Sequence, residues 1–206
     1  MEKADRIRLA VEDFWRRNSI GDTPADAFPA WWIATTFEAS AQDAVRRCAT
    51  GSGDCGLDGF YLEHDAERGW ILNLVQAKFS NSKALVKKAV DGFERTLGEL
   101  RGVIDRKESA PPNRHPIFTK LSAELDRHSV VAGELRLHFY VIHLCEESAD
   151  LLMVGTTAAR DRFRDEARGV FPDLFHELFI LGPDEMKPWD GEAPAEKRTI
   201  RFEGTE

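Results

Sequence analysis

The sequence predicts a mixed α/β (α+β) domain in which helices flank a mixed sheet. Hydrophobic residues make up 42% of the 206-residue chain and charged residues 31%, which leaves enough apolar side chains for a core. Segments with apolar residues at helical spacing alternate with short runs rich in aromatic and branched residues. Two of those runs are separated by a short polar turn, which indicates a hairpin. Together these patterns favour a sheet packed between helical layers.

Two helices are predicted near the N-terminus. Apolar residues at every third or fourth position predict the first over residues 3–18. Residues 22–29 contain two prolines and two aspartates, so we expect a connection there. A second amphipathic helix is predicted from Ala30 to Cys48, and the glycine-rich segment 50–54 after it is expected to be a loop.

The predicted hairpin consists of two apolar strands, Leu57–Glu63 and Trp70–Phe79. Residues 64–69 between them are polar and end in glycine, as is typical of a turn. Because the turn is short, we expect the two strands to pair antiparallel. The start of the first strand then lies beside the end of the second.

A long helix over residues 83–105 has the most regular apolar stripe in the chain. The later predicted elements are a helix over 117–127, strands over 135–144 and 151–154, a helix over 157–168 and a last strand over 174–181. The pattern is lost after Gly182. We therefore expect a domain over residues 1–182 and an acidic tail or linker over 183–206.

The net charge of −8 argues against a protein that coats nucleic acid, because binding to phosphates needs clustered lysine and arginine. The charge is unevenly distributed, however. Residues 78–107 carry eight basic side chains and four acidic ones, whereas residues 183–206 carry seven acidic and four basic ones. A locally basic face is therefore expected within an acidic protein.

The sequence contains no segment expected to enter or cross a membrane. No apolar run approaches the ~20 residues of a membrane span, and the charged, amphipathic N-terminus does not fit a secretory signal. Three cysteines (Cys48, Cys55 and Cys145) are too few and too scattered for a disulfide framework or a four-ligand zinc site. We therefore expect a cytoplasmic protein.

Three polar residues are expected to meet at the open end of the hairpin. Gln76 and Lys78 point to the same side of the second strand, about 6–7 Å apart, because side chains alternate along a strand. Antiparallel pairing brings Asp58, at the start of the first strand, close to both. An amide and an ammonium at the end of an apolar strand are costly to bury unless they have partners.

This set of groups suits phosphodiester hydrolysis. Hard oxygen ligands hold Mg²⁺, which neutralises phosphate and activates water, and a lysine beside the ion can orient that water. The basic helix begins shortly after Lys78. Its lysines Lys83, Lys87 and Lys88 are our candidates for contacts with a DNA backbone.

The segments 53–59 (GDCGLDG) and 74–78 (LVQAK) resemble the PD-(D/E)xK nuclease superfamily. The glutamine in the second segment is typical of the Mrr-like branch. Residues 30–105 are most similar to the N-terminal domain of abortive-infection phage-resistance (AIPR) proteins. The resemblance implies a restriction-endonuclease-like fold and DNA cleavage with Mg²⁺ or Mn²⁺ in antiphage defence. It also implies that Asp58 and Gln76 are metal ligands and that Lys78 is the catalytic lysine.

By the same resemblance, an acidic residue on the preceding helix completes the site, and Glu38 is the candidate, with Asp43 as the fallback. Asp54 is interpreted as a turn residue, and Cys55 stands where such loops usually carry glycine. Many such nucleases act as homo-oligomers, and members of this family are usually longer. A further C-terminal domain is therefore compatible with the resemblance.

Two alternatives stay open at this point. The first is a catalytically degenerate nuclease fold that binds nucleic acid or protein, and it is favoured by Gln76 in place of a carboxylate and by the overall acidity. The second is a scaffold in which Asp58 and Lys78 form a structural pair. The histidines show no metal-ligand spacing, since His138 and His143 fall on opposite faces of one strand.

Overall fold

A computed structural model of the protein describes residues 2–49, 55–105, 115–146 and 149–186, without the side chains of residues 149–155. The helices in these ranges are α1 (Lys3–Asn18), α2 (Pro24–Thr36), α3 (Ala41–Arg46), α4 (Lys83–Ile104), α5 (Pro116–Arg127) and α6 (Ala149–Val170). The strands are β1 (Gly59–Asp65), β2 (Gly69–Lys78), β3 (Leu135–His143) and β4 (His176–Leu181). The predicted α/β class is confirmed.

The four strands form one mixed sheet in the order β1-β2-β3-β4. β1 pairs antiparallel with β2, which confirms the predicted hairpin. β2, β3 and β4 are parallel to one another. Parallel neighbours need long crossover connections. Here α4 and α5 connect β2 to β3, and α6 connects β3 to β4.

Helices cover both faces of the sheet. On one side, here called the α4 face, Leu72 and Leu74 pack with residues of α4, α5 and α6. On the other, here called the α2 face, Val75 packs with residues of α1, α2 and α3. Because both faces are covered, β2 is apolar through most of its length, as is usual for a strand with parallel neighbours.

The predicted helix from Ala30 to Cys48 is wrong in its boundaries. Its first part belongs to α2, which begins at Pro24 inside the segment expected to be a connection. Thr23 and Asp26 form a capping box, and proline is tolerated at the first helical position because its missing N–H would have no helical partner. A break follows Thr36, and α3 starts after Ser40, whose Oγ accepts from the Asp43 N–H.

Two predictions near the C-terminus also need correction. Residues 151–154, expected to be a strand, lie within α6. Short apolar runs do not distinguish strands from buried helical segments. The expected tail does not begin at residue 183, since Met186 is buried in the core of the α2 face and Asp184 pairs with Lys3. Residues 187–206 lie outside the described part of the chain.

Several strands begin or end at the same edge of the sheet. β2, β3 and β4 end there, and β1 begins there, because it runs antiparallel to β2. We call this the carboxyl edge. α4 and α6 start shortly after β2 and β3 end, so their N-termini lie near it. In open α/β sheets, ligands bind outside the carboxyl ends of the strands.

Among the described helices, none has the length and apolar composition of a membrane span.

Candidate functional site at the carboxyl edge

The hairpin register places Asp58 beside the end of β2. Gly59 is paired with Val75, and the Asp58 N–H donates to the Val75 carbonyl at 2.9 Å. The Asp58 carboxylate continues this pairing, because its Oδ2 accepts from the Ala77 N–H at 2.6 Å. The carboxylate therefore lies against the main chain between Gln76 and Lys78.

Gln76 lies on the α4 face and is 5% exposed. A Cβ built on Gly92 of α4 would lie 2.7 Å from its Nε2 and 2.8 Å from its Oε1, so the helix approaches the carboxamide closely. The Oε1 atom is buried and has no hydrogen-bond partner. A buried acceptor without a partner is costly in a purely structural role and calls for an explanation.

The loop before β1 packs on the same stretch of α4. A Cβ on Gly56 would lie 2.6 Å from the Gly92 carbonyl oxygen, and the Thr96 hydroxyl donates to the Cys55 carbonyl at 2.8 Å. Cys55 has a φ of 54° and Gly56 a φ of 84°. This left-handed region favours glycine, so Cys55 holds a backbone conformation that is strained for a residue with a side chain. Asp54 lies outside the described residues.

Glu38 is not brought to this site. It is exposed, has a φ of 55° and lies in the connection between α2 and α3 rather than on a helix. The preceding Phe37 ring stacks on Tyr61, which packs on the α2 face, whereas Gln76 faces α4. The sheet thus lies between Glu38 and Gln76. The fallback Asp43 is engaged locally, since hydrogen bonds from Arg46 and Ser40 lower its pKa.

The residues present fit a weakly held divalent ion rather than a complete protein cage. Asp58 and Gln76 offer a carboxylate and a buried amide oxygen. No group of three histidine, cysteine, aspartate or glutamate side chains suited to a metal occurs within the ranges that the structure describes. Mg²⁺ tolerates such a sparse set because it usually keeps several waters and takes substrate phosphate as a ligand.

A buried histidine lies beside this group and was not among the predicted site residues. His143 at the end of β3 is the register partner of Lys78 and is fully buried. Burial lowers the pKa of its imidazole to about 4. Sequence alternation separates His143 from His138, but it does not show which of them shares a face with Lys78.

A second lysine also approaches from α5. The Lys120 ammonium donates to the Cys48 carbonyl at 2.9 Å, and the neighbouring Ala49 N–H donates to the Asp58 carbonyl at 2.8 Å. Burial and the nearby Asp58 raise the pKa of the Cys48 thiol, whereas Lys120 acts in the opposite direction. No local sequence signal connects Lys120 to the hairpin, because α5 reaches it through tertiary packing.

Lysine side chains reach the surface at the start of α4. Lys87 and Lys88 are exposed on its first turns, and Lys83 is partly exposed. Further along the helix, Arg162 of α6 lies 2.5 Å from Asp91 and 3.3 Å from Glu94. The nearest acidic side chains of α4 are thus paired with another helix. This leaves the start of α4 positively charged.

Comparisons with protein-family models, with curated proteins and with solved structures find no match. The resemblance to PD-(D/E)xK nucleases therefore stays a prediction based on the residues of the hairpin.

Two alanine substitutions in α4 test the close packing on Gln76. Gly98→Ala should raise the free energy of unfolding by about 0.5–1 kcal/mol, because a Cβ there meets nothing within 4 Å and alanine favours the helix. Gly92→Ala should instead lower it by about 1–3 kcal/mol, since the new methyl overlaps the Gln76 carboxamide. Urea denaturation measures both. An equal gain in the two variants would contradict the close approach.

His143 should make folding stability sensitive to acid. Its pKa of about 4 in the folded protein lies below its ordinary value of 6.5, so the unfolded chain binds the extra proton between these values. The contribution of neutral His143 to the free energy of unfolding is fully present above pH 6.5, and about 3 kcal/mol of it is lost as the pH drops to 4. Urea denaturation across this range should show the loss, and His143→Leu should lack it. His138→Leu is the matched control and should keep the wild-type pH dependence.

Proposed function

We propose that this protein is a metal-dependent nuclease that hydrolyses DNA phosphodiesters, acts in the cytoplasm and serves antiphage defence. The observation that carries the proposal is the position of the Asp58 carboxylate. It accepts from the N–H of Ala77, the residue between Gln76, whose buried Oε1 has no partner, and Lys78. A carboxylate, an amide oxygen and an ammonium at the carboxyl edge form a set suited to phosphoryl chemistry.

Each residue has a distinct role in this proposal. Asp58 and Gln76 hold Mg²⁺ or Mn²⁺, and the ion, when bound, neutralises phosphate charge and makes a bound water more acidic. Lys78 positions the attacking water and stabilises the negative charge that develops on the phosphate. Because Gln76 is neutral, the metal affinity depends mainly on Asp58, and substrate phosphate adds to it.

DNA reaches the site along the start of α4. Lys87 and Lys88 are exposed there, and Lys83 lies one turn earlier. These side chains contact phosphates without reading sequence, so they supply affinity rather than specificity. The N-terminal end of α4 favours anions in the same place.

A second candidate is a nuclease-like fold that binds nucleic acid without cutting it. It is favoured by the ligand set, because the described residues near Gln76 provide one carboxylate where cleavage sites commonly use more, and Glu38 is on the other side of the sheet. Both candidates predict DNA binding. Cleavage separates them.

Conservative substitutions at the hairpin test cleavage. Supercoiled plasmid and single-stranded DNA would be incubated with Mg²⁺, Mn²⁺ or EDTA. Asp58→Asn keeps an acceptor for the Ala77 N–H but removes the charge, and it should reduce the nicking rate by at least about 100-fold. Lys78→Ala should have a similar effect. EDTA should abolish nicking by the wild-type protein.

Glu38→Gln is the matched control, since it neutralises a carboxylate on the other face of the sheet and should leave the rate unchanged. If Glu38→Gln were as inactive as Asp58→Asn, the proposed ligand set would be wrong. If the folded wild-type protein binds DNA and leaves it intact in either metal, the binding-only candidate replaces the nuclease.

The basic start of α4 predicts a salt-dependent affinity. Lys87→Ala and Lys88→Ala should each weaken DNA binding at low salt and lower the slope of log affinity against log salt by about one. Fluorescence anisotropy with labelled DNA across a salt series measures this. Arg16→Ala removes the same charge from exposed α1 on the α2 face. An equal loss in that variant would show that the effect comes from net charge.

A further inference from the structure

His143 occupies an unusual position for a histidine. It ends β3 on the α4 face, it is 0% exposed, and its register partner in β2 is Lys78. The ring is held on two sides. The Cys145 N–H donates to Nδ1 at 3.1 Å, and a Cβ on Gly182 would lie 3.0 Å from Cε1. The imidazole orientation is therefore set by the backbone at the ends of β3 and β4.

The hydrogen bond to Nδ1 determines which nitrogen of the neutral His143 ring carries the proton. Because Nδ1 accepts a hydrogen bond from the Cys145 N–H, the neutral ring carries its proton on Nε2. That Nε2–H is buried and has no acceptor. An unpartnered buried donor destabilises the fold, so a structural role alone does not explain it.

Two unsatisfied groups of opposite type thus lie on either side of Lys78. Gln76 provides an acceptor one position earlier on the same face of β2, and His143 provides a donor on the adjacent strand. The other buried side-chain atoms without a partner in the described ranges are Arg47 Nε, Asn73 Oδ1 and Arg136 Nε. None of these belongs to the carboxyl-edge ends of β2 and β3.

One carboxylate lies near this ring: a Cβ on Gly182 would be 3.1 Å from Glu185 Oε2, which accepts from the Gly182 N–H at 2.8 Å. The other surroundings favour an anion at the His143 donor. Lys78 is its neighbour, and the 22-residue helices α4 and α6 begin shortly after β2 and β3 end. Helix N-termini present N–H groups and a positive dipole, which stabilise bound phosphate. A neutral N–H donor adds to this without introducing a charge that would repel a cation at Gln76.

We propose that His143 is a phosphate-binding residue whose Nε2–H donates to a non-bridging phosphate oxygen, directly or through one water, beside Lys78. The inference rests on the proposed function for the identity of the substrate, and it assigns the site a part that binds phosphate without metal. Asp58 and Gln76 then bind the ion, while Lys78 and His143 bind the phosphate.

Histidine NMR in EDTA tests this directly, with inorganic phosphate as the probe and chloride at matched ionic strength as the control. Long-range ¹H–¹⁵N correlation reports the tautomer of each ring. The Nε2 signals of His143 should move with phosphate and stay unchanged with chloride. His138, on the opposite face of the same strand, should show no phosphate-specific shift.

Variants extend the test to DNA. In EDTA, His143→Leu should weaken binding of a short single-stranded DNA about tenfold, as expected for the loss of one hydrogen bond to a charged group. His143→Gln restores an N–H donor and should recover part of that loss. Circular dichroism checks that each variant is folded. If His143→Leu does not fold, the wild-type NMR titration decides by itself.

Failure of this inference is distinguishable from failure of the proposed function. Unmoved His143 signals, or wild-type DNA affinity in folded His143→Leu, would overturn the role of His143 even if Asp58-dependent cleavage is found. A phosphate-induced shift at His143 with intact DNA in both metals would support the phosphate site and remove the nuclease proposal.

Discussion

The candidate site depends on the register of the β1–β2 hairpin. Side chains alternate along a strand, so a slip of one residue between β1 and β2 would turn the side chains of β1 to the opposite face and move Asp58 away from the Ala77 N–H. The register is held at both ends. At the turn, Asp65 Oδ1 accepts from the Glu67 and Arg68 N–H groups at 2.8 Å, and Gly69 has a φ of 75°. At the open end, the Asp58 carboxylate accepts from the Ala77 N–H. Asp58, the proposed metal ligand, thus also holds the two strands together at the end of the hairpin opposite the turn.

Close packing by α4 gives this edge its shape. Glycine at 92 lets the helix approach both Gln76 and the loop at Gly56, so one residue without a side chain fixes two parts of the site. The same approach buries the Gln76 amide oxygen without providing a hydrogen bond. Sites that bind ligands commonly hold polar groups at such a cost to stability, since the ligand later supplies the partner.

The distribution of charge leaves a locally positive region at the start of α4, although the protein as a whole is acidic. Arg162 pairs with Asp91 and Glu94 of α4, whereas Lys87 and Lys88 are exposed nearer the carboxyl edge. Screening in solution limits the influence of distant acidic residues to roughly a Debye length of 8–10 Å. The local field at the start of α4 therefore matters more to a bound anion than the net charge of −8.

The sequence by itself determined the local features: the amphipathic pattern of α4, the hairpin, and the shared side of Gln76 and Lys78. These follow from periodicity and from pairing across a short turn, which leave few alternatives. Only the tertiary structure decided that Glu38 follows a break after α2 and lies on the α2 face. It also decided that His143, rather than His138, is the register partner of Lys78. The position of Lys120 near the hairpin, where it donates to the Cys48 carbonyl, was likewise decided by packing. The physical reason is that parallel pairing of β2 with β3 and the docking of α5 depend on packing between segments far apart in sequence, which no local pattern encodes.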